Sequence, residues 1–228
     1  MAAPRHWRTN LARFAAVIFD MDGVLVDGEP LHFATVNQLL GEEGHAISLE
    51  AYKPYMGTKT GWSDMLRDFR LPRAAEYYSA RYKDLVLERY RQQAEALPGA
   101  VDLVTSLRRA GVPLAVASSS ILPWVEACLD RIGLLGQFDR IISGSDVSEG
   151  KPSPEIYLLA ARRLGTDPAR CLAFEDAPAG IESAKAAGME CWAVRTEYTQ
   201  GLVLPGPHRE FDSLEQVSAD EIVKAVAA

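Results

Sequence analysis

Five stretches of the chain are apolar and end in polar or turn residues: 15–20, 113–118, 140–143, 171–175 and 191–195. Their near-continuous apolar character predicts strands buried on both faces rather than strands with one wet side. Between consecutive members of the last four lie helical patterns at spacings of three or four. They are marked by Val125, Leu129 and Ile132, by Ile156, Leu159 and Ala160, and by Ile181 and Ala184. Strands alternating with helices predict an α/β fold, a parallel sheet covered on both faces.

The alternation breaks once. From Glu29 to Ala96 there is no strand signal, only helical periodicity such as Phe33, Val36, Leu40 and later Tyr78, Tyr82, Leu85. A stretch this long is no ordinary loop. It predicts a small helical domain over 28–97, inserted after the first strand, with 1–27 and 98–228 forming the main domain. Gly28 and Pro30 on one side and Pro98-Gly99 on the other suit the two linkers. The second linker leads into a core helix carrying Val101, Val104 and Leu107, and the Gly/Pro-rich Gly201 to His208 is expected to be a surface loop.

Ligands of open parallel sheets bind at the carboxyl ends of the strands, where loops and helix N-termini converge. Here those ends read Asp20-Met21-Asp22-Gly23, then Ser118-Ser119-Ser120, then Gly150-Lys151-Pro152 after the third strand, then Glu175-Asp176. Each alone has a plain explanation. Asp-x-Asp-Gly is common turn chemistry, a serine run often follows a strand, a lysine before proline is a solvated charge, and Glu175-Asp176 suits the start of a helix near Pro178. An EF-hand loop would need glycine sixth and Glu twelfth, whereas here glycine is fourth and Leu31 twelfth.

Composition narrows the partners. With 228 residues, 48% of them hydrophobic, the chain can bury a substantial core and a second small domain. A net charge of −7 and a pI near 5.2 argue against nucleic acid and acidic membrane surfaces. An anionic substrate must therefore find a local basic group. Three widely spaced cysteines, Cys128, Cys171 and Cys191, fit neither a disulfide framework nor a zinc cluster, so buried thiols in a reducing cytoplasm are expected. No run approaches the roughly 18 apolar residues of a membrane span. Met1 to Asn10 leads into no apolar segment with a cleavage site, so nothing points to export. Oligomeric state leaves no mark in the sequence.

The conjunction of the strand ends is more telling than its parts. Four carboxylates sharing a crevice would repel one another by several kcal/mol unless a cation lay among them. Oxygen ligands with no His or Cys nearby favour Mg²⁺, which keeps waters and accepts phosphate oxygens.

Asp20-Met21-Asp22-Gly23-Val24, Ser118, Lys151 and Glu175-Asp176, in that order and spacing, resemble the four motifs of the haloacid dehalogenase superfamily of phosphotransferases. Lys151-Pro152-Ser153-Pro154-Glu155-Ile156-Tyr157 and Phe174-Glu175-Asp176-Ala177-Pro178-Ala179-Gly180-Ile181 are specific for the subgroup of β-phosphoglucomutase and the sugar-phosphate phosphatases. The resemblance covers nearly the whole chain. It implies a Rossmann-like core with a central first strand and a small mobile helical cap.

The resemblance further implies that Asp20 is the nucleophile, forming an aspartyl phosphate that water cleaves. It implies Mg²⁺ held by the Asp20 side chain, the Asp22 backbone carbonyl and Asp176, with Glu175 as an inner or outer ligand. Lys151 would share its charge between Asp20 and the phosphoryl oxygens, and Ser118, with Gly23 and Ser119 nearby, would hold the phosphoryl group. Asp22, set among like charges, would give a proton to the leaving oxygen and take one from water. The dehalogenase branch lacks this second Asp, so Asp22 argues against dehalogenation.

Specificity is expected from the cap. Candidates are Glu29, His32 and the segment Met56-Gly57-Thr58-Lys59-Thr60, with Gly57 and Lys59 as the substrate-binding residues of that segment. His32 facing the helix surface and Lys59 in solvent are equally open readings. Tyr52, Tyr55 and Trp62 are readable as a sugar pocket or as cap core. Asp27 and His32 resemble the mutase, yet its cap loop carries an arginine soon after the glycine, whereas the first arginine here is Arg67. Lysine imitates bidentate clamping poorly, and Ala177-Pro178 also resembles the phosphatases. The expected activity is hydrolysis of a small phosphate monoester of a sugar or polyol, with a phosphomutase and a noncatalytic binding protein as the alternatives.

Overall fold

The computed structural model describes residues 13–55 and 61–224. All five expected strands form, each within one residue of its predicted ends: β1 (Ala16–Phe19), β2 (Leu114–Ala117), β3 (Arg140–Ile142), β4 (Cys171–Glu175) and β5 (Glu190–Val194). A sixth strand, β6 (Arg209–Phe211), escaped the sequence reading because it is three residues long and buries only Phe211. It follows the Gly/Pro-rich loop and pairs with β5. The sheet order is β3-β2-β1-β4-β5-β6 and every pair is parallel, which makes it an α/β, Rossmann-like sheet with β1 inside it.

The chain divides into two compact units, 1–26 with 95–228, and 27–94. The second unit contains α1 (Glu29–Glu42), α2 (Leu49–Tyr52), α3 (Gly61–Phe69) and α4 (Ala75–Gln93). Val36 and Leu40 of α1, Ile47, Tyr52, Met65, Leu71 and Tyr78 form its core, with Trp62 stacked on Tyr78 at 5.4 Å. Tyr52, Tyr55 and Trp62 all pack into or against this cluster, so the core reading of these aromatics prevails over the sugar pocket. The loop after α1 is pinned by Asn37, whose amide accepts from Ile47 N (3.0 Å) and donates to Ile47 O (3.1 Å).

The first unit adds α5 (Ala100–Arg109), α6 (Leu122–Arg131), α7 (Glu155–Leu164), α8 (Pro178–Ala186) and α9 (Ala219–Val223). In α5 the buried arc is Ala100, Leu103, Val104 and Leu107, spaced as one helical face, and it leaves Val101 38% exposed, contrary to expectation. One face of the sheet is built of small residues, among them Ala16, Ala115, Ala117, Ala173 and Ala193. Ile156, Tyr157 and Ala160 of α7 and Ile181 and Ala184 of α8 pack onto it. The other face carries a row of rings, with Phe19 stacked on Phe174 at 5.0 Å and Trp192 edge-on to Phe174 at 5.7 Å. Cys128, Cys171 and Cys191 are buried free thiols, and burial raises each well above a free thiol. Among the described residues no helix is long and apolar enough to cross a membrane.

Register sets the site. Phe19 lies opposite Val116 of β2 and Phe174 of β4, so the next residues along the three strands, Asp20, Ala117 and Glu175, sit at one level. Asp20 N donates to Phe174 O at 3.0 Å, which continues the ladder one step past the strand.

Candidate active site

β1 ends in a tight loop rather than an open turn. Met21 O accepts N–H bonds from Val24, Leu25 and Val26, and Gly23 N donates to Val26 O at 2.8 Å. Met21, Val24, Leu25 and Val26 are fully buried, so the apolar side chains anchor the loop while Asp20 and Asp22 stay with the polar side. Gly23 takes φ +80°, and a methyl group there would overlap the Asp176 carboxylate. Only glycine meets both conditions at once.

The loop carrying Lys151 is folded by its neighbours. Glu155, at the first turn of α7, accepts the N–H groups of Ser148 (3.0 Å) and Glu149 (2.9 Å), while Ser183 of α8 donates to Ser153 O at 2.5 Å. The Lys151-Pro152 peptide is cis. Lys151 Nζ then donates to Asp20 Oδ1 and to Glu175 Oε1, each at 2.6 Å. Tyr157 OH donates to the same Glu175 Oε1 at 2.6 Å, and Asp176 N donates to Glu175 Oε2 at 3.2 Å. Glu175 is 1% exposed and Asp20 8%. Gly180 closes the far side, since a methyl group there would overlap the Glu175 carboxylate.

Asp20, Glu175 and Asp176 each offer an oxygen within 4.8 Å of the others. Together they carry two more charges than Lys151 balances. The crowding is visible in their proton affinities. Burial, with Glu175 and Asp22 behind it, pushes Asp20 up to about 7 despite the pull of Lys151. Asp176 is raised well above the usual carboxylate range by burial and then by Glu175 and Asp20. Burial works against the ammonium of Lys151, yet Asp20 and Glu175 outweigh it and hold it above an ordinary lysine. An excess of two negative charges on oxygen-only donors fits one divalent hard cation, and Mg²⁺ is the natural occupant.

The hydroxyl run follows β2. Ser118 is 1% exposed, its N–H donates to Ile142 O, and its Oγ accepts Ser120 N at 3.0 Å. Ser120 Oγ donates to Asp22 Oδ2 at 3.1 Å. Ser119 is exposed, with its carbonyl packed against Gly144. Of the expected site residues, Asp20, Asp22, Gly23, Ser118, Lys151, Glu175 and Asp176 therefore come together at the strand ends. Ser120, Tyr157 and Gly180 belong with them although the sequence reading gave them no part. Tyr157 left a signal, because a phenol on the buried face of a helix needs a partner for its hydroxyl.

Glu29 and His32 lie on α1, in the second unit. His32 Nδ1 is 2.7 Å from Tyr82 OH and its Nε2 is 2.9 Å from Tyr90 OH, so both ring nitrogens are engaged within that unit. Gly57 and Lys59 lie outside the described residues.

The family profile described as haloacid dehalogenase-like hydrolase matches residues 14–188, a span that contains every clustered residue above. The chain belongs to the haloacid dehalogenase-like hydrolases. Several of its relatives are named phosphatases. Fructose-1-phosphate phosphatase YqaB of Escherichia coli is 37% identical over 188 residues, covering 80% of this chain and 97% of its own. The phosphorylated carbohydrates phosphatase of Thermotoga maritima is 33% identical over 179 residues, covering 77% and 82%. Among solved structures, CbbY of Rhodobacter sphaeroides in complex with phosphate superposes with a TM-score of 0.80 at 31% identity, covering 89% of this chain and 96% of that one. The chain is thus a haloacid dehalogenase-like hydrolase of the phosphatase type.

Proposed function

We propose that the chain hydrolyses a small sugar or polyol phosphate with Mg²⁺ as cofactor, Asp20 attacking phosphorus to form an aspartyl phosphate. The observation that carries the reading is the position of Asp20. It sits at the end of β1, held by Lys151 at 2.6 Å and within cation-sharing distance of Asp176. When bound there, Mg²⁺ supplies the positive charge that lets a carboxylate approach a phosphate dianion.

The chain's own residues divide the remaining work. Asp20 Oδ forms the new P–O bond as the ester P–O bond breaks. Lys151 offsets the charge gathering on Asp20 and the phosphoryl oxygens, and Ser118 lies at the adjacent strand end to hold one of them. Asp22 donates its proton to the departing alkoxide, then takes one from the water that opens the aspartyl phosphate. The hydrogen bond from Ser120 orients it. The helical unit acts as a cap that excludes water during the first transfer, with Glu29, His32, Gly57 and Lys59 as its candidate substrate contacts. Support for a sugar or polyol ester comes from the named substrates of the relatives and from CbbY, which has also been solved with xylulose-1,5-bisphosphate. Buried free thiols and a net charge of −7 support a cytoplasmic enzyme of small metabolites rather than a nucleic-acid enzyme.

Phosphate release over a panel of sugar and polyol phosphates, with Mg²⁺ and with chelator, tests the reading. Turnover should require the metal, and Asp20→Asn should abolish it with the fold intact. An active Asn variant refutes the nucleophile. Glucose 1-phosphate should yield glucose and phosphate; glucose 6-phosphate as product would make the chain a mutase instead.

A further inference from the structure

Tyr157 is buried completely in α7, on the face packed against the sheet. Its hydroxyl donates to Glu175 Oε1, the oxygen that also accepts Lys151 Nζ. Two short donors fill the acceptor capacity of Oε1. Among the described residues Oε2 carries only the longer bond from Asp176 N, so it is the oxygen with capacity left for a cation. The Tyr157 ring lies beneath the same lysine, with Nζ 5.2 Å from its centroid. One side chain therefore touches Glu175 through its hydroxyl and Lys151 through its π face, while Gly180 blocks the carboxylate from retreating.

We propose that Tyr157 is a positioning residue: it fixes which oxygen of Glu175 faces the metal and how Lys151 is shared between Asp20 and Glu175. The proposal rests on the Mg²⁺-phosphatase reading above. Partners one step outside a metal's ligands characteristically change affinity or activity by about 10–100-fold when removed. Without the hydroxyl, Oε1 has a free lone pair, the carboxylate can rotate, and Lys151 can drift toward Glu175 and away from Asp20.

The test is Tyr157→Phe, which keeps the ring and the cation–π contact and deletes one oxygen. Calorimetric titration with Mg²⁺ alone should show a dissociation constant raised about 10-fold. At saturating Mg²⁺, kcat on the best substrate of the panel should fall about 10-fold with KM little changed. Ile156→Val, a packing change at the neighbouring buried position of α7, should move neither value. If wild-type protein binds Mg²⁺ and releases phosphate while Tyr157→Phe matches it in both measurements, the positioning role is wrong and the phosphatase reading stands. If wild-type protein binds no Mg²⁺, both fall together. Should Tyr157→Phe fail to fold, the Cζ carbon resonance of Tyr157 in wild-type protein decides. It should shift along the Mg²⁺ titration, and a resonance unmoved at saturation overturns the proposal.

Discussion

Replacing Gly180 by alanine sets two known effects against each other at one atom. In a helix interior, Gly→Ala ordinarily stabilises by about 1 kcal/mol, because alanine has less freedom to lose. At position 180, however, the new methyl group would occupy space already held by all three carboxyl atoms of Glu175. Either α8 moves off the sheet or Glu175 turns. Overpacking costs about 1–3 kcal/mol, and turning Glu175 sacrifices a charge-assisted bond from Lys151 or Tyr157, worth about 1.5–3 kcal/mol. Set against the gain, either penalty leaves a net loss of up to about 2 kcal/mol. Gly41, near the end of α1, has nothing within 4 Å of where its Cβ would stand, so Gly41→Ala should instead gain up to about 1 kcal/mol. Urea unfolding of the two variants without metal measures both signs. Phosphate release should drop at least about tenfold for Gly180→Ala, since Glu175 holds Lys151, and stay unchanged for Gly41→Ala. A Gly180→Ala protein as stable as Gly41→Ala and as active as wild type would refute the packing argument.

Two further outcomes follow from the same geometry. Mg²⁺ at about a hundredfold over its dissociation constant should stabilise the chelated protein by about 2.7 kcal/mol, raising Tm by about 5–10 °C, and a flat melting temperature would contradict the shared cation site. Asp146 accepts from Ser143 N, Ser143 Oγ and Arg163; the backbone bond leads in lowering its carboxyl below 3.8, burial opposes it, and the Ser143 hydroxyl and Arg163 add to the lowering. Its contribution is present above about pH 4, its unfolded value, and is lost as pH falls through the lower folded value. Asp146→Asn should therefore cost no more than about 1 kcal/mol at pH 7, solvent screening keeping the effect small at this exposed position, with the gap to wild type closing in acid unfolding below about pH 4. A gap that persists at pH 2 would exclude the carboxylate as its source.

Most of the core was legible because burial on both faces writes a strand as an uninterrupted apolar run, as at Ala16–Phe19 and Leu114–Ala117. The polar strand ends were equally plain, since Asp20 and Ser118 follow directly after strands that periodicity located and Glu175 closes another, with Lys151 in the loop beyond β3. β6 was invisible for the converse reason: an edge strand of three residues with one buried side chain carries no periodic signal. Tyr157 and Gly180 were quoted as motif letters without a task, because their roles lie in contacts to residues 18 and five positions away in a folded neighbourhood, Glu175 in each case. The hydroxyl that meets Asp22 belongs to Ser120 and not to Ser119, a distinction of side-chain direction within one turn that spacing alone leaves open.

The passage out of the sheet and the passage back into it lie side by side. Val26 and Ala96 form an antiparallel bridge, and Leu97 N donates to Leu25 O at 3.0 Å. To the sheet, the intervening seventy or so residues are a hairpin's tip, so its strand pairing is indifferent to what is spliced there. Such a seam makes the insert exchangeable. The 27–94 unit can change in length or sequence at that point while the six paired strands and the polar residues at their ends keep their register.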